Sequence, residues 1–168
     1  MTPTALRPLI RALTDPASVA DLSLSDWDLL IRQGRVSDSL ARLGERVEAA
    51  GLATSVPQPV LRHLQAAQLL AQRQHTELAY EVRAIADALA PEGIPLLLLK
   101  GAAYAQAGLR VAQGRMVSDV DILVPRDRLG DAESALMKAG WLTTTRDAYD
   151  QHYYRTWMHE IPALRHVQ

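Results

Sequence analysis

The sequence has no cysteine, which excludes disulfide scaffolds, Cys-ligated zinc and thiol nucleophiles. Phenylalanine is absent too, and aromatic residues make up only 5% of the chain, so core volume must come from leucine and alanine. Neither charge sign dominates: 18 basic residues face 19 acidic ones, a net charge of −1. That balance gives no strong case for a protein that holds duplex nucleic acid by backbone electrostatics, although a local basic pocket remains compatible with it. Residues 1–94 carry 9 basic and 11 acidic side chains and residues 95–168 carry 9 and 8, so no basic tail hides in the average. The longest apolar run, residues 94–99, falls far short of the roughly 20 residues a membrane helix needs. The first eight residues show no apolar signal-peptide core, so the expected location is cytoplasmic, without a membrane partner. Lysine is scarce as well, with only Lys100 and Lys138 among the 18 basic residues.

What is present suits a soluble globule. The chain has 168 residues, 48% hydrophobic and 22% charged, which fits one domain, or one with an appendage, at about 100–200 residues per domain. Alanine and leucine occur 26 times each, 52 of 168 residues, a composition that favours helices.

The texture changes near Pro91-Glu92-Gly93. Before it the pattern is helical. Ser25 or Asp26 is expected to cap a helix through Trp27, Leu30 and Ile31 that Gly34 stops, and residues 37–50 suit another, ended by Gly51. Residues 60–90 carry the longest helical pattern, with an apolar seam at Leu78, Val82, Ile85 and Leu89, and with Gln65, Gln68, Gln72 and Gln74 on the other faces. After Gly93, residues 94–99 read as a strand buried on both faces. Residues 101–109 read as a helix of small residues, and 117–124 as a second strand. A helix capped by Asp127 follows and ends at Gly140. Residues 141–145 favour a strand, and 152–164 suggest one or two short extended pieces.

The chemistry concentrates in Leu99-Lys-Gly-Ala-Ala-Tyr and Arg115-Met-Val-Ser-Asp-Val-Asp-Ile-Leu-Val. On a strand, Asp119 and Asp121 would share a face, and two carboxylates there repel unless a cation lies between them. Hard oxygen ligands of this kind suit Mg²⁺, which accepts one or two carboxylates plus substrate phosphates. The plainer alternative is a solvated strand edge. Upstream, a strand ends in Lys100-Gly101 where a helix begins. Helix N-termini present unpaired N–H groups, glycine permits close backbone approach, and lysine adds a point charge suited to a polyphosphate. Arg115 and Ser118 are candidate donors to phosphate or base; as alternatives they are a solvated loop charge and a strand-start hydroxyl. The histidines, His63, His75, His152, His159 and His166, lack zinc spacing except for the pair His159 and His166. Tyr153, Tyr154 and Trp157 read as packing residues rather than a base-stacking platform.

Taken together, Lys100-Gly101, Tyr104, Arg115 and Ser118-Asp-Val-Asp-Ile-Leu-Val resemble a large, poorly characterised bacterial nucleotidyltransferase family within the DNA polymerase beta-type superfamily. Gly140-Trp141 resembles the family's Gly-aromatic step. The resemblance implies an α+β fold: a helical N-terminal region, residues 1–92, followed at 93–168 by a mixed β-sheet with flanking helices that is one strand short at its C-terminal end. It implies that Asp119 and Asp121 bind catalytic Mg²⁺, and that Lys100 and Gly101 hold the triphosphate of an NTP, with ATP expected. An acceptor hydroxyl, whose bearer the sequence does not name, would attack the α-phosphate and release pyrophosphate. The superfamily's third carboxylate has no clear counterpart: Glu160 precedes the expected position, and Asp147 and Asp150 read as loop residues. That leaves two readings, a Mg²⁺-dependent nucleotidyltransferase and a catalytically impaired binding or regulatory protein of the same fold. A glycosyltransferase using the Asp-x-Asp pair ranks below both, because here the motif opens the strand instead of following it.

Overall fold

The computed structural model describes residues 7–144, 147–158 and 160–167. The fold is α+β, dominated by helices, with two small antiparallel strand pairs. Thr145 and His159, which figure in the strand and histidine readings above, lie outside the described residues. The chain folds as two compact units that interleave along the sequence. One comprises Met1–Ala79 with Lys100–Val120, the other Tyr80–Leu99 with Asp121–Gln168. Among the described residues, no helix is long and apolar enough to cross a membrane.

The first unit is built on helices α1 (Arg7–Thr14), α2 (Leu24–Val36), α3 (Leu40–Ala49) and the first part of α4 (Gln58–Leu89). Their apolar faces enclose Leu9, Val19, Trp27, Leu30, Leu43, Val47 and Leu64. The caps differ from the sequence expectation. Ser23, not Ser25 or Asp26, is the N-cap of α2: its hydroxyl accepts the Asp26 N–H at 3.2 Å while its own N–H donates to the Asp26 carboxylate at 3.0 Å. This reciprocal capping box satisfies two N–H groups that the first helical turn leaves unpaired. Gly34 does not stop α2 either. It lies buried within the helix, where an added Cβ would stand 3.1 Å from Leu40, so its job is close helix packing. On α4, Gln68, one of the glutamines on the faces away from the apolar seam, is buried and donates to Glu48 at 3.0 Å.

In the second unit the helical seam of α4 closes as expected, with Ile85 and Leu89 buried and Val82 half-buried. Helix α6 (Leu129–Lys138) contributes the buried Ala132, Ala135 and Leu136. It starts after a 3-10 turn at Arg126–Arg128 that contains Asp127, so Asp127 is not its cap. Strand β1 (Leu97–Leu98) pairs antiparallel with β2 (Ile122–Leu123). Both are far shorter than their apolar runs predict. Nor is β1 buried on both faces: the cross-strand partners Leu97 and Leu123 are 65% and 53% exposed. Strand β3 (Trp141–Thr143) pairs antiparallel with β4 (Leu164–His166), a second sheet separate from the first, so the strands do not form the single mixed sheet expected. The ring of buried Trp141 meets His166 edge-on at 4.5 Å and donates its indole N–H to Glu81 at 3.3 Å. Between these strands in sequence lie helix α7 (Ala148–Tyr153) and a π-helical turn at Tyr154–Met158, so residues 152–158 are helical where the sequence suggested extended chain.

Candidate functional site

The two motif segments run close to one another within each unit. In the first unit, the chain entering the Asp-x-Asp motif is held by two side chains of α4. The His75 Nε2–H donates to the Arg115 carbonyl at 2.8 Å, and the Gln74 amide oxygen accepts the Val117 N–H at 2.8 Å. Val117 is buried with Leu78 and Ala102, the latter on helix α5 (Lys100–Gln106). Gly101 is buried against it, and a Cβ there would stand 3.0 Å from Val117. The glycine therefore has a packing reason of its own: it lets the start of α5 close on the segment that follows Arg115 and Met116. Arg115 and Ser118 are exposed. Asp119 is exposed too, with the Ser118 hydroxyl 3.4 Å from its carboxylate.

In the second unit, the Leu99 N–H donates to the Asp121 carbonyl at 2.9 Å, one step beyond the β1–β2 ladder. The residue before Lys100 thus lies alongside Asp121. The pairing goes no further, because Lys100 adopts φ +48°, a left-handed backbone that turns the chain into α5. A non-glycine residue in that region is uncommon and costs roughly 1–2 kcal/mol. This turn also corrects the strand reading of the carboxylates. Continued in antiparallel register, Gly101 would face Asp119, but residues 115–121 carry no strand and β2 begins only at Ile122. Asp119 and Asp121 therefore do not owe their placement to a shared strand face. Asp121 is half-buried.

Among the described residues, no group of three or more His, Asp or Glu side chains is placed to hold a metal ion. Asp147 lies outside the helices and strands, as expected of a loop residue, and accepts the Tyr149 N–H at 2.7 Å where α7 begins; Asp150 departs from that expectation and lies within the helix. Glu160 is exposed on the chain leading to β4. His75 and His166 bond backbone carbonyls, His166 reaching that of Ala139 at 3.2 Å. Sequence reasoning misses the supporting roles of Gln74 and His75. One stretch of a long helix rich in glutamine offers no periodic signal that two neighbours reach a loop 40 residues away.

A family model described as an uncharacterised nucleotidyltransferase matches residues 23–166. The chain belongs to that family. The matched span opens at Ser23, the cap of α2, and closes at His166, the end of β4, so both motif segments and the helices that hold them lie within the nucleotidyltransferase match. No curated protein and no solved structure matched the chain.

Proposed function

We propose that this nucleotidyltransferase moves an NMP unit from an NTP, with ATP as the expected donor, to an acceptor hydroxyl with the help of Mg²⁺. The observation that carries the reading is the Leu99–Asp121 hydrogen bond, which sets the strand leading into Lys100-Gly101 against the Asp-x-Asp segment. The donor set fits the ion. Asp119 and Asp121 offer hard oxygens two residues apart, Asp119 is exposed, and Mg²⁺ bound by one or two carboxylates takes its remaining ligands from water and substrate phosphates. When bound, the cation offsets phosphate charge.

The chain's own residues do the rest. Lys100, held where β1 turns into α5, supplies a compact positive charge for the triphosphate. Gly101 lets that turn pack on Val117. Arg115 and Ser118, both exposed, supply donors to phosphate or base. The acceptor oxygen forms a bond to the α-phosphorus, the bond from that phosphorus to the β-phosphate bridging oxygen breaks, and pyrophosphate leaves with its electrons while the hydroxyl proton is released. Rate enhancement in such a reaction comes mainly from positioning and charge stabilisation.

Thermal unfolding with and without Mg²⁺-ATP tests this. A ligand at about 100 times its Kd adds about 2.7 kcal/mol of stability, so the melting temperature of the parent chain rises, while that of the Asp119→Ala, Asp121→Ala double variant does not. Equal responses in the two proteins refute the binding assignment. A second reading, nucleotide binding without transfer, is favoured by the lack of a three-residue acidic or histidine cluster among the described residues. Metal-dependent pyrophosphate release from labelled NTP in the presence of candidate acceptors excludes that reading.

A further inference from the structure

Residues 115–119 carry two candidate donors and the first carboxylate of the Asp-x-Asp motif, yet no strand ladder fixes their backbone. Ordering each residue of such a loop on a ligand costs conformational entropy. Three contacts from α4, all within the first unit, supply the order instead. The Gln74 amide oxygen accepts the Val117 N–H at 2.8 Å, and the His75 Nε2–H donates to the Arg115 carbonyl at 2.8 Å. Leu78 is buried in one cluster with Val117 and Ala102. Residues three and four apart share a helix face, so Gln74, His75 and Leu78 act as one platform.

Both bonds go to backbone atoms on either side of Met116. They fix the path of the chain while Arg115, Ser118 and Asp119 stay exposed. A carbonyl oxygen only accepts, so Nε2 of His75 carries its proton whether the ring is neutral or charged. Val117 is buried, and its N–H needs a partner that the missing ladder does not provide. The same residue receives Gly101, where an added Cβ would stand 3.0 Å away. The Lys100-Gly101 turn is thus packed on the residue that Gln74 pins.

We propose that Gln74 and His75 are positioning residues of the transfer site. They hold segment 115–119 against the start of α5, which presets Arg115, Ser118 and Asp119 relative to Lys100 for a Mg²⁺-bound nucleotide. The inference rests on the reading that those four residues serve Mg²⁺-NTP, and it adds two that act only through the backbone they hold. Preset groups bind more tightly because less freedom is lost on association.

Calorimetric titration of Mg²⁺-ATP into the full chain, with hydrogen exchange at the Val117 amide, tests this. Gln74→Met keeps the side-chain length and removes the amide oxygen. It is expected to speed exchange at Val117 and to weaken Mg²⁺-ATP about threefold to tenfold, the net worth of one hydrogen bond. His75→Leu, which removes the donor to Arg115, is expected to weaken binding by a similar factor. His75→Gln returns an uncharged N–H donor of similar reach and is expected to restore the parental affinity. A role confined to the fold lowers the melting temperature of Gln74→Met and His75→Leu and leaves their affinity for Mg²⁺-ATP unchanged; that result overturns the proposal. So does a His75→Gln chain that binds as weakly as His75→Leu. Should Gln74→Met fail to fold, the two His75 variants still decide the matter. A parent chain that does not bind Mg²⁺-ATP overturns the transfer reading and this inference with it, whereas unchanged affinity in the variants overturns this inference alone.

Discussion

At the scale of single residues, Lys100 carries the most informative conflict. Local backbone preference asks for glycine at φ +48°, yet the position holds one of only two lysines in the chain. Strained residues of this kind persist where the surrounding structure or function requires them. Lys100→Gly separates the two demands. Relief of roughly 1–2 kcal/mol of left-handed strain outweighs or balances the extra entropy glycine loses on folding, about 0.5–1 kcal/mol. In backbone terms the substitution is therefore close to neutral, while the variant's stabilisation by Mg²⁺-ATP is expected to be lost. A variant that melts lower and still responds fully to Mg²⁺-ATP would show that the lysine serves the fold. Calorimetry on the two proteins, with and without nucleotide, reads both quantities.

At the scale of elements, the capping box of α2 makes a pH-dependent contribution. The Ser23 hydroxyl, and secondarily its N–H, hold the Asp26 carboxyl below the usual aspartate range, against a small opposing effect of desolvation. A carboxyl whose folded value is depressed stabilises the fold when ionised in both states. That contribution is present above the ordinary aspartate value, near pH 4, and is lost as pH falls through the lower folded value. Ser23→Ala is expected to cost about 1 kcal/mol near neutrality, with the difference from the parent narrowing below about pH 4. Urea titrations at a series of pH values measure it; a difference that stays constant through the acid range would refute the link to Asp26. The helices are largely legible in the sequence because their apolar spacing repeats over several turns, as Leu78, Val82, Ile85 and Leu89 do on α4. The strands are not. β1 and β2 hold two residues each, too few for alternation to be read, and they end where Lys100 leaves the extended conformation. Residues 152–158 mislead for another reason: Tyr153, Tyr154 and Trp157 favour strands by propensity, and helix α7 with its π-helical turn overrides them. Of the candidate site, the motif residues are visible in the sequence, but their supports Gln74 and His75 come from a distant stretch of α4, and such contacts leave no local pattern.

At the scale of the whole molecule, the interleaving of the two units decides how the chain should unfold. The backbone passes between them three times, at 79/80, 99/100 and 120/121, and the first crossing lies inside the continuous helix α4. Melting one unit therefore removes the anchors of segments that belong to the other: Lys100–Val120 is flanked on both sides by the second unit. A core truncation confined to the first unit tests whether this topology enforces cooperativity. Leu30 is fully buried among Trp27, Leu43 and Val47, and Leu30→Ala is expected to cost about 2–5 kcal/mol, the lost transfer energy plus the cavity left behind. With the chain threaded in this way, the loss should appear undiminished in the second unit. The most protected amides of α6 are then expected to lose the same free energy of exchange as those of α2, because both open only when the whole chain unfolds. Native-state hydrogen exchange on parent and variant measures the two helices in one experiment. If α6 kept its parental protection while α2 lost its own, the two units would be independent foldons and the threading would carry no energetic coupling.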